Sequence, residues 1–512
     1  MKLNRLTAVA ACSTLLAGCL VGPDYHRPKA PAAPAFKEQP PEGWTEATPA
    51  DAAVKGDWWK EFNDPLLDEL EPKVAVSNQT VRQDYFNYQQ ALAEVRVARA
   101  QLFPSLGLTG SVTRQGGPGY SGSGVSTTTG TNTTGTSTGT QSTGTGSTTG
   151  TGTTTTTGVT VTRGSTTSAT LEGTASWTPD LWGQVRRLIE ENSAIAQSDE
   201  ATLANATLSE QVLLATTVIE LRWADANIAL SQKTVAAYQD SLRVTKAQGS
   251  SGIATTPPSA VITAQVALES AQATLVGLGV ARAQYAHAIA VLVGENPEDL
   301  DIPAGNAMPT LPTVPIGVPS TLLERRPDIA AAERTVKAQN AAIGIAVAAF
   351  YPTITLSAEG GFTQSPLSGL LHAANHVWSL GANGTETLFD FGERHAEVQA
   401  ARAAYEAAVA SYRNTVLTAF ENVENDLSSL RILGAQSKAL DTAVQDAIRG
   451  TQIALAEFEA GTVDYTTVAA AQETQFIDQQ TALSVQESRL EAAVSLIGDL
   501  GGGWSASDLH KP

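Results

Sequence analysis

One stretch of this chain is repeated later in it. Ser77 to Val112 aligns with Arg325 to Gly360 at a constant shift of 248 residues, which places Phe103-Pro104 on Tyr351-Pro352 and Val81 on Ile329. A second matched pair, TPDLWGQ and TLFDFGE, places Asp180 on Asp390 at a shift of 210 and also matches Gly183 with Gly392. Between these landmarks the first copy therefore carries about 38 residues more than the second, and that excess is the Ser/Thr/Gly tract from Ser121 to Gly158. A third pair, AQGSSGIATTPPSAVITAQ and EAGTVDYTTVAAAQ, relates Gly252 to Gly461. One architectural unit used twice sets the fold, because each copy must bury its apolar side against the other or against further copies.

Each copy reads helix, strand, loop, strand, long helix, tip, helix. Four stretches alternate apolar and polar residues with the period of two that marks strands. Their bounds are expected near 105-114, 168-178, 353-363 and 379-389, the last being the poorest because Gly384 and Glu386 fall on its apolar side. Stretches of about ten residues suffice for tilted strands to cross a bilayer. Phe103, Trp177, Trp182, Tyr351, Phe389 and Phe391 collect at one end of these strands, as an interfacial belt would. A soluble sandwich with aromatic core residues is the alternative, and the very long helical flanks speak against it.

Proline is absent from Gly183 to Gln248 and from Gly392 to Ala460, and each segment would extend ~100 Å as a helix. In the second, Val398, Ala401, Tyr405, Val409, Tyr412, Val416, Phe420, Val423, Leu427 and Leu430 recur every three or four positions as one narrow stripe. Alanine and polar residues fill the rest, so such helices meet side by side and keep wet faces. The chain turns near Gly249 to Pro258 and near Gly461 to Tyr465, then returns as a helix to about Gly294 and about Leu500. Pro104 and Pro352 end the helices before the strands, since proline disfavours helical geometry in the residue preceding it. Asp180 and Asp390 stand where a short acid can cap the next helix.

The 512 residues carry a net charge of −19, which excludes nucleic acid as the partner of the bulk surface. The two cysteines, Cys12 and Cys19, both lie near the N-terminus, so no disulfide staples the body. Lys2 and Arg5, an apolar stretch from Leu6 to Leu16 and the sequence Leu16-Ala17-Gly18-Cys19 read as an export signal over residues 1-18. Cysteine after Leu-Ala-Gly resembles the bacterial lipoprotein signal, in which the thiol receives diacylglycerol and the new amino terminus an N-acyl chain. With Leu20 following, that resemblance implies sorting to the outer membrane. Residues 19-57 are rich in Pro and Ala and form an extended tether, 58-300 and 301-504 are the two repeats, and 505-512 is a tail. No uninterrupted apolar run reaches the roughly twenty residues of a spanning helix, so any crossing is made by strands.

Four strands cannot close a barrel, and an open edge in lipid leaves backbone groups unsatisfied at several kcal/mol each. Three chains would supply twelve strands around a polar lumen. The opening LAGCLVGPDYHRP (Leu16 to Pro28), Trp58-Trp59 followed by NDPLLDEL, LLERRPDI (Leu322 to Ile329), LFDFGER (Leu388 to Arg394) and LGGGW (Leu500 to Trp504) resemble the TolC-like outer membrane factors, and best the NodT-type lipoprotein branch. The resemblance covers almost the whole mature chain. It implies a mainly α fold with a small transmembrane β part, a trimeric 12-stranded β-barrel continued by a long periplasmic α-helical barrel. It also implies an exit channel of an RND-type tripartite efflux pump, partnered by a periplasmic adaptor and an inner-membrane transporter, passing drugs or other toxic compounds. A duct for protein or peptide secretion is the rival within the class; a non-conducting anchored stalk and a surface-anchored enzyme lie further off. No catalytic residue, metal or cofactor is expected beyond the covalent lipid on Cys19.

Relatives commonly carry acids six and nine positions beyond the tip glycine, where this chain has Thr467 and Ala470, and some carry arginine where Val463 stands. The expected gate residues are Gly252, Gly461, Asp464, Thr467 and Ala470, with Glu473 nearby. Glu172 and Glu359 fall on polar strand faces and are candidate lumen residues, or ordinary solvent-facing acids. Gly117 to Gly122 satisfies G-x-G-x-x-G but precedes low-complexity sequence rather than a helix, so it is no phosphate loop. His372 and His376 are four apart without a third ligand, and read as surface histidines. The Ser/Thr/Gly tract within the expected loop 115-167 lacks the apolar residues to pack and should be mobile.

Overall fold

The computed structural model describes residues 20–31, 35–38, 57–116, 165–250, 257–305, 307–312, 325–364 and 369–511. Cys12, Cys19, Gly252 and the Ser/Thr/Gly tract lie outside the described residues. The chain divides into two compact units that cut across the repeat boundary: a helical unit (Met1–Gln101, Asp180–Tyr351, Leu388–Pro512) and a strand unit (Leu102–Pro179, Pro352–Thr387).

In the helical unit, α1 (Pro65–Ser77) follows a single 3-10 turn at Trp58–Phe62, and α2 is Gln79–Ala100. Then come α3 (Gln184–Ser250), α4 (Pro258–Leu292), α5 (Pro327–Ala348), α6 (Glu393–Glu459) and α7 (Tyr465–Asp499). The repeat is metrically faithful: α2 and α5 have 22 residues each, α3 and α6 have 67, and α4 and α7 have 35. Local chemistry sets these ends. Asn78 accepts from the amides of Thr80 and Val81, and Asp64 from Leu66 with Pro65 in the first turn. Asp180 accepts from the amides of Val185 and Arg186 at 3.1 and 3.0 Å, Asp390 from those of Gly392 and Arg394 at 3.0 and 3.4 Å. In each copy the guanidinium that follows, Arg186 or Arg394, returns to clamp the capping aspartate.

Equivalent close approaches occur in both copies. An added Cβ at Gly294, φ +76, would lie 2.2 Å from the Ser77 carbonyl oxygen; at Gly501, φ +98, it would lie 2.3 Å from that of Arg325. Asn78 Nδ2 donates to the Leu292 carbonyl and Arg326 Nη1 to that of Asp499, both at 2.9 Å. The final turn of each returning helix is thus held to the start of its own copy.

The main core gathers Trp58, Trp59, Phe62, Leu67, Leu70 and Val74 against Leu214, Val218 and Leu221 of α3, Ile289 of α4, Leu427 of α6 and Leu490 of α7. Each such side chain contributes roughly 1.5–3 kcal/mol on burial. Arg222 crosses this region and meets Asp64 through Nε at 2.8 Å and Nη2 at 3.1 Å, while Asp225 takes Arg282 at 2.6 Å. The stripe expected on α6 is the face it packs: Val409, Tyr412, Val416, Val423, Leu427 and Leu430 are buried. Described parts of the tether lie on this unit. Arg187, itself 2% exposed, donates to the Val21 and Gly22 carbonyls and pairs with Asp24, and Glu38 pairs with Arg431.

One helix departs from the sequence expectation about membrane spans. By length and composition α4 is apolar enough to cross a membrane, because its Ala, Val and Leu are interspersed with uncharged polar residues rather than gathered in one run. Most of that stretch is exposed, including Val266, Val276 and Val280.

The strand unit holds β1 (Ser105–Gly116), β2 (Ser165–Trp177), β3 (Thr353–Gln364) and β4 (His376–Thr385) in one antiparallel sheet of order β1-β2-β3-β4. The fourth strand is a correction: it ends at Thr385 and not at 389. Leu388 and Phe389 extended the apolar alternation past the true end, while Gly381 and Gly384 diluted it inside the strand. β1 and β2 likewise run to Gly116 and from Ser165, beyond the expected 114 and 168, because backbone pairing continues where the side-chain alternation has lapsed.

Candidate functional site

The register sorts the sheet into two unlike faces. On one, Leu106, Leu108 and Val112 of β1 share a side with Leu171 and Trp177 of β2, Leu356 and Phe362 of β3, and Trp378 and Leu380 of β4. Leu106 is 82% exposed, Leu108 77%, Trp378 71% and Leu380 75%, an apolar strand surface that water does not tolerate over such an extent. Aromatics flank it at both ends: Trp177, whose Nε1 donates to the Leu102 carbonyl at 3.0 Å, and at the other end Phe362 and Trp378. This second girdle was not read from the sequence, because Trp378 precedes the expected start of β4. His376 packs edge-on against Phe362, ring centroids 5.7 Å apart, and the amide of His372 closes a turn onto Gly369. Among the described residues no cluster of His, Cys, Asp and Glu is arranged to hold a metal.

The opposite face is hydroxyl-rich. Thr109 and Ser111 of β1, Thr170 and Thr174 of β2, Ser357 and Thr363 of β3, and Ser379 and Asn383 of β4 all lie on it. The structure brings Glu172 and Glu359 together here as diagonal neighbours, Glu172 opposite Gly361 and Glu359 opposite Thr174. Ser379 Oγ donates to Glu359 Oε2 at 3.2 Å. Of the aromatics assigned to one belt, Trp182 and Tyr351 lie in the helical unit and stack on each other at 4.9 Å, while Phe389 and Phe391 stay exposed.

At the tip of the helical unit, α6 closes with two bonds, from the Gly461 amide to the Phe458 carbonyl and from the Thr462 amide to the Glu457 carbonyl, each 2.9 Å. This closure needs the left-handed φ of +75 at Gly461. Asp464 caps α7, accepting from the Thr466 hydroxyl and the Thr467 amide, and these donors hold its carboxyl below the usual range. Thr467 and Ala470 are exposed, three residues apart and so on one side of the first turn. Beneath them lie Leu242, Ala260, Ala264, Phe458, Tyr465 and Val468. Gln472 reaches Ser241 on α3 at 2.9 Å, and Gln248 reaches the Phe458 carbonyl at 3.0 Å. Burial, with the nearby Tyr238, pushes the Tyr465 phenol up to about 12. Gly252, the counterpart of Gly461, lies outside the described residues.

Several acids elsewhere in the helical unit are shifted by burial. Burial pushes Glu71 up to about 9, and burial with Glu491 and Glu220 pushes Glu487 up to about 8. Burial and the hydrogen-bonded Asp499 raise Asp426, and Arg326 grips Asp499 at 2.7 Å and Asp328 at 2.8 Å. Glu71 has no hydrogen-bond partner on either carboxyl oxygen, whereas Asp499 is held by Arg326.

Comparison with known proteins agrees with this geometry. The antibiotic efflux pump outer membrane protein ArpC and the toluene efflux pump outer membrane protein TtgC, both of Pseudomonas putida, are each 30% identical over 507 residues, covering 98% of this chain and 96% of theirs. The solved outer-membrane channel OprN superposes with a TM-score of 0.77 at 25% identity, covering 95% of this chain and all of that one. The family model described as outer membrane efflux protein matches residues 72–295 and 318–502, both copies of the duplicated unit. A two-faced sheet, paired long helices and this breadth of similarity converge: the chain belongs to the outer membrane efflux protein family.

Proposed function

We propose that this protein is one third of a passive, trimeric exit duct of a tripartite efflux pump. One observation carries the trimer: helices α3 and α6 are repeat-related and equally long, yet α3 buries 20 of its 67 residues and α6 only 10. The difference follows from position. α3 packs extensively on α2 and α4 of its own copy and on α5 and α7 of the other, whereas among the described helices α6 makes its extensive contacts with α5 and α7. Its missing neighbours are an α2 and an α4, which a second chain supplies.

Three such chains place twelve strands around the hydroxyl-rich face, with the apolar face toward lipid, and ring the lumen with Glu172 and Glu359. Solutes pass without bond making or breaking, so no cofactor is needed. The partners are a periplasmic adaptor and an inner-membrane RND-type transporter, and the cargo consists of small apolar toxic molecules, as the names of the toluene and antibiotic pump relatives suggest. The chain is anchored by acylation of Cys19. The tip at Gly461 closes the periplasmic mouth by helix shear, with Thr467 and Ala470 exposed on its first helical turn. Purified protein in a planar lipid bilayer should give discrete single-channel currents, with expression restoring solvent resistance to a strain lacking its own duct. A protein that assembles yet passes no current would leave only a stalk.

A further inference from the structure

Between Leu430 and Thr451 the packing stripe of α6 loses its apolar character without losing its spacing. Before this stretch α6 buries Val423, Leu427 and Leu430, after it Thr451, Ala454 and Phe458, and no residue in between is buried. Steps of seven, four, three and seven residues carry the stripe from Leu430 through Ser437, Asp441 and Val444 to Thr451, so the same side of the helix is presented throughout. Those three residues line a cavity of about 620 Å³. Ala226 and Ala229 of α3 and Ala482 of α7, which also line it, are too small to fill it. Its walls all belong to the helical unit of one chain, so the site does not depend on the trimer.

The cavity is basic in an acidic protein. Its charged residues are Lys233 of α3, Arg489 of α7 and Asp441 of α6, two cations against one acid, where the whole chain carries −19. The guanidiniums of Arg187, Arg222, Arg282, Arg326 and Arg394 each meet a carboxylate, which offsets the cost of taking their charge out of water. Among the described residues Arg489 meets only a hydroxyl, its Nη1 donating to Ser437 Oγ at 3.1 Å. Its Nη2 lies beside Gly434, 4.0 Å from where a Cβ would stand, and its Nε is buried without a hydrogen-bond partner. Lys233 is exposed and forms no ion pair among the described residues. We propose that this cavity binds a small apolar molecule carrying one carboxylate, seated between Arg489 and Lys233 with its apolar body against Leu230, Leu483 and Leu490. With Nη1 on Ser437, the remaining Nε and Nη2 are the side of the guanidinium that matches a carboxylate with two parallel bonds. Held by one hydroxyl, the side chain can turn that fork into the cavity. The volume falls within the range of small-molecule sites, about 300–1,000 Å³. Asp441 in the same wall repels a second negative group, so the site selects one carboxylate over two.

Isothermal titration of the full-length protein in lipid nanodiscs with naphthoate, an apolar double ring bearing one carboxylate, tests this, with empty nanodiscs as the blank. One naphthoate should bind per chain, and the neutral naphthamide at least about tenfold more weakly, as expected for losing a hydrogen bond to a charged group. Raising salt from about 0.1 M to 1 M should weaken naphthoate far more than naphthamide. Arg489→Gln should lower naphthoate affinity about tenfold, whereas Asp441→Asn, at an exposed position, should raise it. The opposite signs separate a charge effect from general loosening of the helices, which would lower both. Should Arg489→Gln impair folding, Lys233→Gln at the exposed wall gives a smaller loss by the same cause. Equal binding of naphthoate and naphthamide overturns the carboxylate assignment. Lower affinity in Asp441→Asn, or affinity unchanged in both Arg489→Gln and Lys233→Gln, overturns the placement. No naphthoate bound at millimolar concentration overturns the site. None of these results bears on the duct, which single-channel currents test separately.

Discussion

Gly461 and Gly294 offer a controlled comparison, because their backbones are nearly the same and their surroundings are not. Gly461 closes α6 with φ +75 and Gly294 follows α4 with φ +76; an added Cβ meets nothing within 4 Å at Gly461, but lies 2.2 Å from the Ser77 carbonyl oxygen at Gly294. Alanine in the left-handed region costs roughly 1–2 kcal/mol, and that is the whole expectation for Gly461→Ala. For Gly294→Ala the same strain is joined by an overlap that Ser77 cannot relieve by retreating, since the neighbouring Asn78 is tied to the Leu292 carbonyl and to Glu210, each at 2.9 Å. Overpacking of this kind adds about 1–3 kcal/mol, for a total near 2–5 kcal/mol. Hydrogen exchange read by mass spectrometry should show protection at the end of α4 falling by roughly 30- to 5,000-fold in Gly294→Ala. Protection at the tip should fall about 5- to 30-fold in Gly461→Ala. Equal losses in the two variants would refute the argument, by showing that the close approach to Ser77 carries no energy of its own.

Three further outcomes are expected. Glu71 is buried with neither carboxyl oxygen partnered, and its pKa is raised from 4.5 to about 9, so the folded protein holds this proton more tightly than the unfolded chain. This group therefore lowers stability as pH rises from 4.5 to about 9, and Glu71→Met should raise the melting temperature more at pH 9 than at pH 5; an equal gain at both would exclude the linkage. Glu172→Gln with Glu359→Gln should shift the reversal potential under a KCl gradient toward zero, more at 0.1 M than at 1 M salt, where screening shortens from about 10 Å to 3 Å; an unchanged potential would take these acids off the conduction path. Cys19→Ala should abolish metabolic labelling by palmitate, and persistent label would place the acyl chain elsewhere.

Much of the fold was legible because punctuation and periodicity coincide. Pro104 and Pro352 stop one helix in each copy, Asp180 and Asp390 start the next, and the α6 stripe keeps its spacing from Val398 to Leu430. β4 was misplaced because its glycines weaken the only signal a strand gives, and Trp378 was lost with the boundary. Asp464 was read as a candidate gate acid, and the structure uses it to cap α7, a role its spacing to Thr467 could have signalled. Pairings such as Arg222 with Asp64, 158 residues apart, leave no local trace, since periodicity reports which face is buried and not against what.

The two sheet edges differ, so in the proposed ring each subunit would offer a head to one neighbour and a tail to the other. Rings built this way are poisoned from one side. A subunit with a spoiled β4 edge but an intact β1 edge still enters an assembly and prevents its closure. When such a subunit is made in equal amount with the normal protein, random mixing leaves about one ring in eight intact. The damage should therefore be dominant, even though the spoiled gene product folds its helices and reaches the membrane.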